Sequence, residues 1–230
     1  MNTGVKFTPV GFLKGVRQTL PLAISVFVYV ALFGMLARQA GLSLMESMLM
    51  SGIVFAGGSQ LIALEMWHLP LPILAIVVTT LIVNLRHVLM GAALRPHLEN
   101  LSPKRVYALA FFMVDESWAL TMREFHDGHK DAAFLLGSGC TILITGQVST
   151  AFGYLFGAVI RDPSLWGLDF AFLAVFTALL IGMWKGKANL LPWLAAALVS
   201  LAAAYTLPGK WYILCGGLAG SLAGAWSHES

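Results

Sequence analysis

Two adjacent acids, Asp115 and Glu116, interrupt an otherwise uncharged apolar run, residues 106–122, bracketed by Arg105 and Arg123. If that run crosses a membrane, the pair lies near the midplane, where each ionised side chain costs about 2.5–3.5 kcal/mol on insertion scales. Acids are tolerated at such depth when they face a cavity, a cation or a partner. That makes the two candidates for a proton relay or for an anchor to a substrate ammonium. The competing reading is a structural pair neutralised by a cation such as Arg86.

A second polar cluster is Asn84-Leu85-Arg86-His87. Asn84 and His87 are three apart and share a helix face, whereas Arg86 points elsewhere. Arg86 sits deeper than an ordinary interfacial arginine, and its planar guanidinium suits either an acid of the pair or a carboxylate held bidentately. Snorkelling toward headgroups is the plainer alternative. His87 is a candidate proton carrier near neutral pH.

A third cluster is Gly57-Gly58-Ser59-Gln60. Paired glycines within a span permit an unwound backbone, and the half-helix that resumes there presents a positive N-terminus to a carboxylate. Close helix packing through small residues explains the same glycines without a ligand. Gly146-Gln147 is read in the same way, and Phe55 and Trp118 are aromatic candidates for contact with an aliphatic substrate side chain.

The elements that must position these residues are transmembrane helices. The 230 residues are 58% hydrophobic and 11% charged, with a mean hydropathy of +0.80. A soluble surface needs about 25% charged residues, so this surface faces lipid. At roughly 20 residues per span, the chain has room for about seven or eight. The apolar runs fall at residues 20–37, 47–64, 69–85, 106–122, 132–160, 170–184, 188–207 and 211–226. No hydrophilic stretch is long enough for a separate domain, so residues 1–230 read as one all-α, polytopic transport domain. The first run is too long for a cleaved leader and reads as a true span. Polar loops are expected at 95–105 and 123–131. The fifth run would extend about 43 Å as one helix, so it is expected to tilt strongly or break.

Lys6, Lys14 and Arg17 precede the first span and favour a cytoplasmic N-terminus, as juxtamembrane anchors rather than nucleic-acid contacts. The remaining basic residues divide without useful bias. Gly57-Gly58-Ser59-Gln60 resembles Thr145-Gly146-Gln147, and residues 79–83 resemble 177–181. These echoes point to an inverted repeat of three spans plus three with glycine-broken second and fifth helices, a secondary-transporter pattern. Gly216, Gly220 and Gly224 form a small-residue ridge suited to tight contact, within the chain or with another subunit. Cys140 and Cys215 read as buried thiols, with no disulfide framework or metal spacing. Metalloprotease, nucleotide-loop and nucleophile-elbow motifs are not found, so no enzyme, metal or cofactor is expected.

The run from Ser51 to Gln60, the Asn84-Leu85-Arg86-His87 block and the Asp115-Glu116 pair, in that order and spacing, resemble the AzlC family of bacterial permeases. The resemblance covers most of the chain. It implies the large subunit of a two-component exporter in the bacterial inner membrane. Export of L-valine, and of related branched-chain amino acids and methionine, is implied with it. It also implies a small AzlD-type membrane subunit of about four spans, so that the transporter is assembled within the bilayer. Proton-driven export is the mechanism that joins this resemblance to the residues. A passive channel or a non-transporting scaffold are the alternatives.

Overall fold

The computed structural model describes residues 5–98, 101–159, 177, 181, 184, 186, 190–207 and 211–229. Among these the chain forms nine helices: α1 (Pro9–Gln39), α2 (Leu44–Val54), α3 (Gly57–Glu65), α4 (Ile73–Leu98), α5 (Pro103–Phe111), α6 (Asp115–His126), α7 (Ala133–Phe156), α8 (Leu190–Thr206) and α9 (Trp211–Glu229). α1, α4 and α7 are each long and apolar enough to cross a membrane, and α2 and α8 are shorter apolar helices. Leu20, Ile24 and Val28 on α1, and Leu81, Leu85 and Val88 on α4, are exposed. Their helical spacing makes apolar stripes that water would penalise and lipid would not.

Several boundaries differ from those read in the sequence. The second run is broken as the glycines predict, but its hinge is Phe55, in the left-handed region at φ 44°, and Gly57 opens the helix that resumes. The fourth run, expected to be continuous, stops at Phe111 and restarts at Asp115. The fifth, expected to break at Gly146 or tilt, is the unbroken α7 of 24 residues, about 36 Å long. The polar loop expected from Arg95 is helical as far as Leu98, which leaves Arg86 near the middle of α4 rather than at a span end. Cys140 and Cys215 are only half-buried. The sixth run, 170–184, and with it the last span of the proposed repeat, lies almost entirely outside the described residues.

The chain divides into two compact units, one of residues 1–67 and 83–161, the other of 68–82 and 162–230. In the first, α1 and α7 meet backbone to backbone. The carbonyls of Phe134, Thr150, Phe12 and Ala31 stand where Cβ atoms would project from Gly15, Gly34, Gly137 and Gly153. Glycines permit that approach because nothing projects between the helices. The buried Thr19 hydroxyl bonds Ser138 at 2.7 Å across the same seam. At one end, Thr8 caps α1 by accepting from the Gly11 N–H at 3.0 Å, with Pro9 in the first turn where its missing N–H is harmless. Asp131 then ties that cap to α7 by accepting from the Thr8 and Ala133 N–H groups at 3.2 and 3.0 Å. Lys14, expected to anchor at headgroups, instead pairs with the buried Glu124 of α6.

In the second unit, Gly216, Gly220 and Gly224 of α9 face Ser200, Ala196 and Pro192 of α8. The Ser200 hydroxyl donates to the Tyr212 carbonyl at 3.1 Å. The glycine ridge is therefore taken up within the chain.

Candidate functional site

The site lies in the first unit, where two helices break. At the first break, Phe55 holds a left-handed conformation that costs a non-glycine residue about 1–2 kcal/mol. α3 then begins at Gly57 with no side-chain cap and no acid in its first turn. Its leading N–H groups, and the positive end of its dipole, have no charge set against them within the helix.

The second break is built differently. Ser117, fully buried, accepts from the Val114 N–H at 2.9 Å and lies 2.9 Å from the Phe112 carbonyl it can donate to. It closes the turn that neither glycine nor proline marks. Gly139 of α7 leaves room for the Phe112 backbone. α6 starts with Asp115 and Glu116 in its first turn, so its positive end is met by its own acids. The rings of Phe55 and Phe111 stack with centroids 5.8 Å apart, which sets the two breaks side by side.

Arg86 reaches both. Its Nη1 donates to Asp115 Oδ2 at 2.5 Å. Its Nη2 lies 3.8 Å from the point where a Cβ on Gly58 would stand, over the first turn of α3. Its Nε is buried and finds no acceptor among the described residues. Asn84, two residues before Arg86 on α4, accepts from the Ser59 hydroxyl at 2.9 Å and ties α4 to α3. His87 Nδ1 lies 3.3 Å from the Asn84 carbonyl oxygen, and the charges of Arg86 and Asp115 reach its ring. The Glu116 carboxylate lies in the field of Asp115 and Arg86.

Gly57, Gly58, Ser59, Asn84, Arg86, Asp115 and Glu116 thus converge, with Phe55 at their edge. The arrangement has an electropositive part, the α3 start under Arg86, and an electronegative part, the acids opening α6. A zwitterion matches that polarity.

Three residues singled out in the sequence are placed elsewhere or otherwise occupied. Gln147 faces Gly52 of α2, its amide nitrogen 2.9 Å from the position of an added Cβ, and so belongs to the other side of the first break. Trp118 donates its indole N–H to the Met90 carbonyl at 3.1 Å and packs on the core formed by Met90, Leu94, Leu109 and Phe125. Gln60 is buried on α3, and its amide nitrogen has no acceptor among the described residues. Two parts of the site were not foreseen. The second break leaves only the acids of a first helical turn and a serine after them as signals. Tyr29 of α1 lies against Gly57 in the field of Arg86, Glu116 and Asp115, and nothing in an apolar run marks it out. Among the described residues, no group of three or more side chains could hold a metal ion.

A family model described as AzlC protein matches residues 21–160. An uncharacterized membrane protein of Archaeoglobus fulgidus is 28% identical over 220 residues, covering 95% of this chain and 96% of its own. The inner membrane protein YgaZ of Escherichia coli is 28% identical over 206 residues, covering 85% and 82%. The branched-chain amino acid transport protein AzlC of Bacillus subtilis is 24% identical over 205 residues, covering 88% and 80%. No solved structure matches.

Proposed function

The chain belongs to the AzlC protein family, and from that premise we propose that it is the large subunit of a secondary exporter of branched-chain amino acids, L-valine foremost, in the bacterial inner membrane. Related branched-chain amino acids and methionine fall within the same substrate class. The Bacillus subtilis relative, a branched-chain amino acid transport protein, supports the class, and the Escherichia coli relative, an inner membrane protein, supports the membrane. The observation that carries the mechanism is the uncapped start of α3 beneath Arg86, beside an α6 start bearing its own acids.

In this reading the substrate carboxylate sits at the Gly57-Gly58 start of α3 and on Arg86, where N–H donors and a guanidinium combine. The ammonium lies toward Glu116, which is free of the ion pair holding Asp115. Phe55 borders the aliphatic side chain. Protonation of the acids couples export to the proton gradient. A small AzlD-type subunit completes the transporter within the bilayer, and the broken α2–α3 and α5–α6 segments count as spans toward the seven or eight expected.

The test is efflux of labelled L-valine from preloaded cells lacking other exporters. This chain is compared alone, with an AzlD-type partner, and with that partner after replacement of Asp115 by Asn and Glu116 by Gln. Efflux by the intact pair that is lost in the double variant, and lost when the proton gradient alone is collapsed, supports a coupled exporter. Efflux that persists without the gradient marks a passive channel. No efflux from any well-expressed combination overturns the substrate assignment.

A further inference from the structure

Tyr29 stands in the middle of α1, the helix fixed backbone to backbone against α7. Its ring occupies the space over Gly57. A Cβ built on Gly57 would lie 2.9 Å from the Tyr29 hydroxyl oxygen, closer than real Cβ atoms approach, and 3.0 Å from Cζ, so the ring would have to shift. Gly57 is not in the left-handed region, so its backbone does not demand glycine; the Tyr29 ring does. The same phenol lies in the field of Arg86, Glu116 and Asp115. Its hydroxyl therefore stands at the electropositive α3 start.

We infer that Tyr29 is a substrate-positioning residue whose hydroxyl donates a hydrogen bond to the carboxylate held at the start of α3. The inference rests on the exporter reading and adds a selectivity to it. A phenolic donor aimed at an anion strengthens binding of a free α-carboxylate and gives little to an amide in its place, because hydrogen bonds to charged groups are the stronger kind.

The experiment measures transport by the complete transporter reconstituted in liposomes, with L-valine as substrate and L-valinamide as competitor. Y29F keeps the ring and removes the donor. Its KM for L-valine should rise about tenfold, with a smaller change in Vmax and less than a twofold change in the inhibition constant of L-valinamide. G57A, which displaces the ring, should raise the KM for L-valine as well, and adding Y29A to G57A should bring no further loss beyond Y29A alone. An unchanged KM in Y29F overturns the inference while leaving the exporter reading intact. An equal rise for L-valine and L-valinamide also overturns it, since a merely structural tyrosine would weaken both. Absence of L-valine transport by the wild type overturns the exporter reading and this inference with it.

Discussion

Arg86 cannot serve Asp115 and a substrate carboxylate equally, and that competition has a measurable size. Its Nη1 is 2.5 Å from Asp115 Oδ2, and the two side chains are 40% and 48% exposed. A pair of unit charges about 4 Å apart interacts by about 1 kcal/mol in water and about 4 kcal/mol at an effective dielectric of 20. Nearly half-exposed partners belong toward the screened end of that range, where measured ion pairs contribute about 0.2–1 kcal/mol. Allowing for the partly apolar surroundings, roughly 1–2 kcal/mol of Arg86's interaction is engaged with Asp115, or about a 5- to 30-fold factor in a binding constant. Replacing Asp115 by Asn should then tighten equilibrium binding of L-valine by about that factor while reducing gradient-driven export. Replacing Arg86 by Gln should weaken binding by about tenfold or more, the loss of a charge-assisted hydrogen bond. The assay is equilibrium binding of labelled L-valine to the purified transporter, with melting temperatures measured alongside. If D115N weakens binding as much as R86Q, in proteins of equal thermal stability, the ion pair is part of the seat itself and the competition does not exist.

Two further outcomes follow from the packing. Gln60 is buried with an amide nitrogen that bonds to nothing among the described residues, so Q60L should leave the melting temperature unchanged or raised, because an unsatisfied buried donor costs about 1–3 kcal/mol. If the amide instead meets substrate, the same variant loses transport; full activity would assign Gln60 to the core. Gly153 lies under the Ala31 carbonyl, and G153V should lower thermal stability by about 1–3 kcal/mol as an overpacked seam, read as a drop in the detergent-solubilised melting temperature. An unchanged melting temperature would mean the α1–α7 contact yields more easily than its backbone approach implies.

The helical membrane class was legible because it rests on composition, which every residue contributes to. The first break was legible because glycines are rare, conspicuous and carry a local conformational meaning. Even there the position was displaced: the hinge fell on Phe55, held by its stack with Phe111, a contact between residues 56 positions apart that no local pattern encodes. The second break was missed for the same reason. Its turn is closed by Ser117 and accommodated by Gly139 of another helix, so tertiary packing supplies what a proline or glycine would have announced. Conversely, Gly146 looked like a breaker and is not one, since α7 runs through it and the helix packs a neighbour there: the nearest outside atom to an added Cβ is the Ser51 hydroxyl oxygen, at 3.9 Å. The sequence sets Arg86 about a turn deeper than an interfacial arginine, and helix through to Leu98 sets it near the middle of α4. Partners set by distance in sequence, such as Lys14 with Glu124 or Tyr29 with Gly57, leave no periodicity to read.

The two breaks also explain why acids and glycines occupy the positions they do. Each resumed helix begins with a positive partial charge of about half an elementary charge. At α6 that charge is answered by Asp115 and Glu116, the first two residues of the helix. At α3 the corresponding places are glycines, so the charge is left unanswered and open to approach. Arg86 joins the ends by binding an acid of one and overlying the other. Had both starts carried acids, the site would attract cations alone; had both been bare, it would attract anions alone. One filled and one empty start, bridged by a guanidinium, gives a site with a positive and a negative end, the polarity that an amino-acid zwitterion complements.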